Sequence, residues 1–347
     1  KAWLRSQFAT KIRERKRGAK PEDFDRIGTE FHRWLRDTSR ANGLIGEDDF
    51  FRFIERDFDF YARHYLLAMK ASQTRVPGLE AVQYNSQNGF TLQYMLLLAP
   101  LKPEDDPNIA KLKMNIVARF VDILIARRIW NFRSIAYSTM QYAMFLVMRE
   151  IRGLDVQALA AKLVEQLSEQ DETFESNDRL YVHQQNRYLI HRLLARLTEY
   201  VETQSGQPSR YPEYVAEGRE RYEVEHIWAN HAERHTDEFS HPADFAEYRN
   251  RIGGLLLLPK AFNASYGDLP YKDKLLHYRT QNLLAHSLHP DCYDRNPGFV
   301  RFVKESGLPF EAVPDFAKVN LDDRGRLYQS LAERVWNPQD LLEMGAQ

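Results

Sequence analysis

The segment Glu223–His235, EVEHIWANHAERH, holds three of the eleven histidines in the chain. Its first half sets an acid, Glu225, directly before an imidazole, His226. Such a pair offers one oxygen ligand for a hard cation and one neutral base for a water proton. On a strand the two side chains point to opposite faces. They meet at one phosphate only where the strand ends or twists and the chain folds back, a turn that WANHAERH would allow. Downstream, Asn250 and Asn263 add amide groups, and Lys260, Lys272 and Lys274 add positive charge. An amide oxygen from Asn263 would complete a divalent-cation site, and the lysines would hold flanking phosphates. Each residue alone has an ordinary reading: an asparagine that closes a turn or caps a helix, a histidine that is structural. The order of the set is more specific than any member.

His231 and His235 admit a second chemistry, a zinc site shared with His226. A structural zinc held by histidines alone is uncommon. His241, His277, His286 and His289 show no partner pattern. Trp228 reads first as a packing anchor and second as a base-stacking platform.

Several chemistries lose their simplest support. The chain contains no GxxxxGK[ST] loop, no GxGxxG after a strand, no HExxH and no GxSxG. One cysteine, Cys292, excludes an internal disulfide and a cysteine-based zinc site, and fits a reducing cytoplasm. The formal net charge is −1, so an argument for nucleic acid must rest on local patches. The first twenty residues carry eight Lys/Arg against one Glu, which suits a solvated helix or a phosphate-contacting face. No apolar run approaches the roughly 20 residues that span a bilayer.

These residues must be held by a scaffold, and the pattern of the chain describes one. Before about residue 205 it reads as helix after helix. Glu47–Met69, Lys111–Trp130, Ser134–Gly153, the stretch capped by Asp155, and Asn186–Glu202 all carry apolar residues at helical spacing. Thr203–Tyr214 concentrates Ser, Gly and Pro, which predicts a boundary there. The expected domains are therefore a helical connector or scaffold over 1–205 and a second domain over 206–347. In the latter, YEVEHIW has strand composition. RIGGLLLLP is a short apolar run set between glycines and a proline, as in a buried strand. Tyr271–Leu288 reads as one helix, and the tail is helical again, with Asn296 and Pro297 opening one element. The order is strand, loop, strand, helix.

The stretches VEHIW, RIGGLLLLP and FNASYGDLPYKDK resemble the HNH (ββα-metal, His-Me finger) nuclease region at the C-terminus of GmrSD-type modification-dependent restriction enzymes. That group includes SspE-like phosphorothioate-sensing phage-defence proteins. The resemblance covers about Glu223 to Leu288. It implies a mainly α chain: an N-terminal helical bundle, then a small ββα-metal core with helical flanks. It also implies a DNA endonuclease that nicks in restriction or anti-phage defence, with Mg²⁺ or another divalent cation such as Mn²⁺. By resemblance His226 is the general base, Glu225 and Asn263 hold the metal, and Lys274 matches the family's following lysine. The family's middle asparagine, which orients the histidine, is Gly254 here; Asn250, four residues earlier, is the candidate substitute and is grouped with His226 as catalytic. The family's upstream nucleotidase, with its D-G-Q-Q-R-type motif, is not found, so the chain is expected to be the C-terminal part of a larger protein. The expected partner is DNA, in the cytoplasm, without a membrane, with oligomers allowed. The alternative is a helical scaffold that binds DNA or a partner without cutting, its site degenerate through Gly254. An RNA nuclease would use the same residues.

Overall fold

The computed structural model describes residues 1–13 and 20–346. Residues 14–19 of the basic opening stretch lie outside them. The chain divides into two compact units. The first comprises Lys1–Arg128, Arg133–Asp171 and Pro338–Gln347; the second comprises Ile129–Phe132 and Glu172–Asn337.

Among the described residues the regular structure of the first unit is helical apart from a short ribbon that pairs Ile12–Arg13 with Lys20–Pro21. Its core is built on the helix Pro107–Trp130. Ile116, Val117, Phe120, Val121, Ile123 and Leu124 are all buried there, on more than one face. A helix apolar most of the way round is an interior helix. Even Lys113 is buried, its ammonium held by both carboxylate oxygens of Asp105 at 2.8 Å. Asp155 caps Val156–Ser168 as its position suggests, accepting from the Ala158 N–H at 2.8 Å. The next helix expectation shifts: Tyr137–Glu150 begins after Ser134, whose hydroxyl accepts from the Ala136 N–H. The Glu47–Gln73 stretch is helical with a π-turn at Phe53–Phe58. Phe51, Ile54, Phe58 and Leu66 on it are exposed, so its aromatic spacing does not all serve the core.

The second unit holds strands β1 (Tyr222–His226) and β2 (Leu255–Pro259). They pair antiparallel, with Glu225 opposite Leu256 and His226 opposite Leu255. Leu255 to Leu258 are all fully buried, so β2 is covered on both faces, which explains its unbroken apolar run. Leu256 and Leu258 join a core with Trp228, Phe245, Phe262 and Tyr278. Helix α1 (Arg187–Gln204) packs against both strands.

That packing moves the boundary. The polar stretch Thr203–Tyr214 lies inside the second unit and folds back on α1, where the Tyr214 hydroxyl donates to Glu202 at 2.6 Å. The residues before α1 are tied down as well. The Val182 N–H donates to Asn250 O at 2.9 Å, and the Ile252 N–H to Leu180 O at 2.8 Å. The crossing nearest the expected boundary is therefore Asp171/Glu172 and not residue 205; the chain also crosses at Arg128/Ile129, Phe132/Arg133 and Asn337/Pro338.

Three further helices complete the setting: α2 (Pro242–Arg249), α3 (Lys260–Tyr266) and α4 (Tyr271–Tyr278). The single helix expected over Tyr271–Leu288 is broken. Asn282 caps a new turn by accepting from the Ala285 N–H at 3.1 Å, and its amide donates to Leu257 O at 2.7 Å. The glycine pair before β2 is a contact device. A Cβ on Gly253 would sit 2.1 Å from Leu321 O, on helix α5 (Lys318–Val335). No helix among the described residues is long and apolar enough to cross a membrane.

Candidate active site

The site is built at the end of β1. Pairing with β2 fixes the register, and the Ile227 N–H still reaches Gly254 O at 2.9 Å. Beyond it the chain leaves the sheet. Alternation along the strand then sends Glu225 and His226 to different surroundings.

Glu225 is buried and meets Lys274 from α4. The ammonium donates to Glu225 Oε1 at 2.6 Å and to the backbone oxygen of His226 at 2.9 Å. Lys274 itself is fully buried. Burial pushes the Glu225 carboxyl up from its ordinary value, and the ammonium beside it opposes that shift. Burial likewise lowers Lys274, opposed by Glu225. An ion pair so short, with a second acceptor for the ammonium, answers part of the cost of desolvating both charges. Lys274 was expected at a DNA phosphate. It is instead an internal partner of Glu225, because α4 turns its side chain into the core.

His226 is half-buried and meets Asn250, which follows α2. The Nε2–Oδ1 distance is 2.8 Å. The other end of the same amide donates from Nδ2 to Ala246 O at 2.9 Å. A carbonyl accepts only, so the amide nitrogen must face Ala246 and the amide oxygen must face the histidine. The proton therefore sits on Nε2, and Nδ1 keeps its lone pair. Nδ1 has no hydrogen-bond partner among the described residues. Burial, followed by the nearby charge of Arg249, pushes the imidazole pKa down to about 3. The imidazole is therefore unprotonated near neutral pH, with its Nδ1 lone pair available, and so low a pKa makes it a weak base.

Two arginines, unmarked in the sequence reading, flank this imidazole. Arg187, the first residue of α1, donates from Nη2 to Val224 O at 2.8 Å. Arg249, the last residue of α2, donates from Nε to Trp228 O at 2.9 Å. Burial lowers the Arg249 pKa; Glu225 acts against that shift and Arg187 adds to it. Nothing local distinguishes Arg187 from other helix-opening arginines. Arg249 stands next to Asn250 in the sequence, and that adjacency was the one available signal.

Asn263 lies on α3, which packs on both strands. Its Oδ1 is buried with no hydrogen-bond partner. Lys260 is exposed at the start of α3. Lys272 is exposed and pairs with Asp315 at 2.8 Å. No hydrogen bond joins Asn263 to Glu225 or His226 among the described residues. His231 bonds Glu233 at 2.6 Å, and His235 packs on Trp228 with ring centroids 4.5 Å apart. Among the described residues no group of three or more His, Cys, Asp or Glu side chains is gathered for a metal, so the shared zinc site is not formed. Trp228 is a packing anchor: it is buried, its indole N–H donates to Phe316 O at 3.0 Å, and it stacks on Phe245.

A hard divalent cation prefers oxygen donors and keeps most of its waters when protein ligands are few. The orphaned amide oxygen of Asn263 is a donor of that kind, left unsatisfied by the protein. Glu225 offers a carboxylate of which Lys274 engages Oε1. Asn263 Oδ1 and the second oxygen of Glu225 are thus donors of the kind a hard cation takes, and no hydrogen bond joins the two side chains among the described residues.

Residues 168–294 match the family model of the C-terminal domain of GmrSD restriction endonucleases. The matched range contains Arg187, Glu225, His226, Arg249, Asn250, Asn263 and Lys274. No curated protein and no solved structure matches the chain.

Proposed function

Because the chain carries a GmrSD-type C-terminal nuclease region over residues 168–294, we propose that it hydrolyses phosphodiester bonds in DNA. The strand–strand–helix succession of β1, β2 and α3 is read as the ββα core of an HNH-type nuclease. His226 Nδ1 takes a proton from a water. That water's oxygen forms a bond to phosphorus in line with the leaving group. The bond from phosphorus to the 3′ oxygen breaks, that oxygen takes a proton from a solvent water, and the imidazolium returns its own proton to solvent. Glu225 and Asn263 are the residues that would hold Mg²⁺ or Mn²⁺, which supplies stabilisation of the charge growing on the phosphate and the leaving oxygen. One such centre cuts one strand, so a nick is the expected product.

The observation that carries this reading is the His226–Asn250 contact, with the amide fixed from behind by Ala246 O. It gives the imidazole one tautomer and one orientation. It also weighs against the non-cleaving scaffold, whose argument was the missing asparagine at Gly254: Asn250 supplies the amide from another position. The biological setting we infer is restriction of foreign or phage DNA in the cytoplasm, alongside a nucleotidase domain of the same protein.

The test is plasmid nicking with Mg²⁺ by the chain and by His226→Ala. Loss of the base should slow nicking by about 10²–10⁴-fold. Undiminished nicking by a folded variant removes His226 from the reaction. A parallel digest of RNA reports on substrate class.

A further inference from the structure

Arg187 and Arg249 have no task in the reaction written above. They reach the same spot from different elements. One binds the carbonyl two residues before His226 and the other the carbonyl two residues after it. Each guanidinium carries five N–H donors. Each has one hydrogen bond to the protein here, so donors remain on both. Among the described residues neither has a carboxylate within salt-bridge distance. Nearby arginines of the same unit are neutralised, as Arg251 is by Glu247 at 2.9 Å and Arg210 by Glu213 at 2.9 Å. Arg187 is exposed and Arg249 half-buried, so solvent and ligands reach them. Lys274, the next cation, is already spent on Glu225.

Two anchored guanidinium forks, neither in ion-pair contact with a carboxylate among the described residues, bracket one imidazole and leave donors to offer an anion. The planar fork matches the oxygens of a phosphate better than a point charge does. We propose that Arg187 and Arg249 clamp one backbone phosphodiester of the nucleic acid, the one presented to His226 Nδ1. The identity of that anion rests on the hydrolysis reading; the existence of the clamp rests on the arginines. On this proposal α1, which precedes the strand–strand–helix segment, contributes a substrate-binding residue. The strand carbonyls of Val224 and Trp228 then serve to aim the two forks.

The experiment measures equilibrium binding of a fluorescein-labelled DNA duplex to the whole chain in EDTA, so that the DNA stays uncut, across roughly 50–200 mM salt. Arg187→Ala and Arg249→Ala should each weaken binding about 10-fold or more, and each should lower the slope of log affinity against log salt by about one. Arg187→Lys keeps the charge and loses the fork. It should keep most of the slope and, with Mg²⁺ added, nick at a reduced kcat. Wild-type affinity and slope in both alanine variants overturn the clamp. Should Arg249→Ala fail to fold, Arg187→Ala decides alone, since Arg187 is exposed. A chain that never nicks yet binds DNA through both arginines overturns the hydrolysis reading and leaves the clamp standing.

Discussion

Glu225 and His226 are neighbours on one strand, and the two sides of that strand treat them oppositely. On one side a buried carboxyl meets a buried lysine at 2.6 Å, whose charge opposes the upward push of burial on the acid. On the other an imidazole is kept neutral by burial and by an amide acceptor at 2.8 Å. The first arrangement is expensive to disturb, because either charge left alone in the interior is poorly solvated. The second is poised, because the imidazole retains an unused lone pair. The strand thus gives one residue a charged partner and the other an amide acceptor.

The sharpest way to break this contrast is on the Glu225 side. Glu225→Gln leaves the Lys274 ammonium without its partner charge and should cost about 3–5 kcal/mol of stability in urea unfolding. Lys274→Met should cost a similar amount. The double variant should recover much of that loss, since a buried pair replaced by neutral groups of similar volume is often near neutral. Strictly additive losses would mean that the two charges do not support each other.

On the His226 side the effect should appear in the pH profile of nicking. The wild-type imidazole, with a pKa of about 3, stays unprotonated across the range in which an ordinary histidine titrates. Asn250→Asp puts a carboxylate against Nε2, which favours the imidazolium and raises that pKa. The acid limb of the rate profile should move to higher pH, with activity lost as pH falls through it. A profile identical to wild type would remove Asn250 as the positioning residue.

A smaller effect tests the glycine turn. A Cβ on Gly254 would lie 3.1 Å from Arg249 O and 3.1 Å from Leu321 Cδ1. Gly254→Asn should therefore cost on the order of 1–3 kcal/mol through overpacking and bring no gain in nicking. Faster nicking by that variant would show that Asn250 is an imperfect substitute.

The smallest effect concerns a histidine outside the reaction. His191 on α1 is held low, at about 4, by burial and then by Arg192, while its Nε2–H donates to Tyr222 O at 3.0 Å. Its folded pKa lies below the unfolded value of about 6.5. The unfolded chain then binds the extra proton first as pH drops. This stabilising contribution is complete above about 6.5 and declines toward pH 4. Thermal melting against pH should show that decline, and His191→Gln should flatten it.

Local signals were readable where one residue answers to its near neighbours. Asp155 caps the turn it precedes, YEVEH pairs with LLLLP, and the helix after Pro259 follows in the expected order. Glu225, His226, Asn250 and Asn263 could be nominated from residue type and order alone. The structure brings His226 to Asn250, and it assigns Lys274 to Glu225 instead of to solvent. The break at Asn282 escaped the periodic pattern because the capping amide answers to Leu257, on a strand 25 residues away. The boundary near residue 205 failed to coincide with a compact unit for a similar reason: Leu180 and Val182 hydrogen-bond across to Ile252 and Asn250.

By itself the sequence determined the two strands, most of the helices and a short set of residues to nominate for a site, because hydrophobic period and residue type act over a few positions. Only the tertiary structure decided which cation is buried, which amide fixes the imidazole and which two arginines are anchored beside it. Those outcomes depend on backbone carbonyls and side chains brought together from tens of residues apart, and packing alone sets that distance.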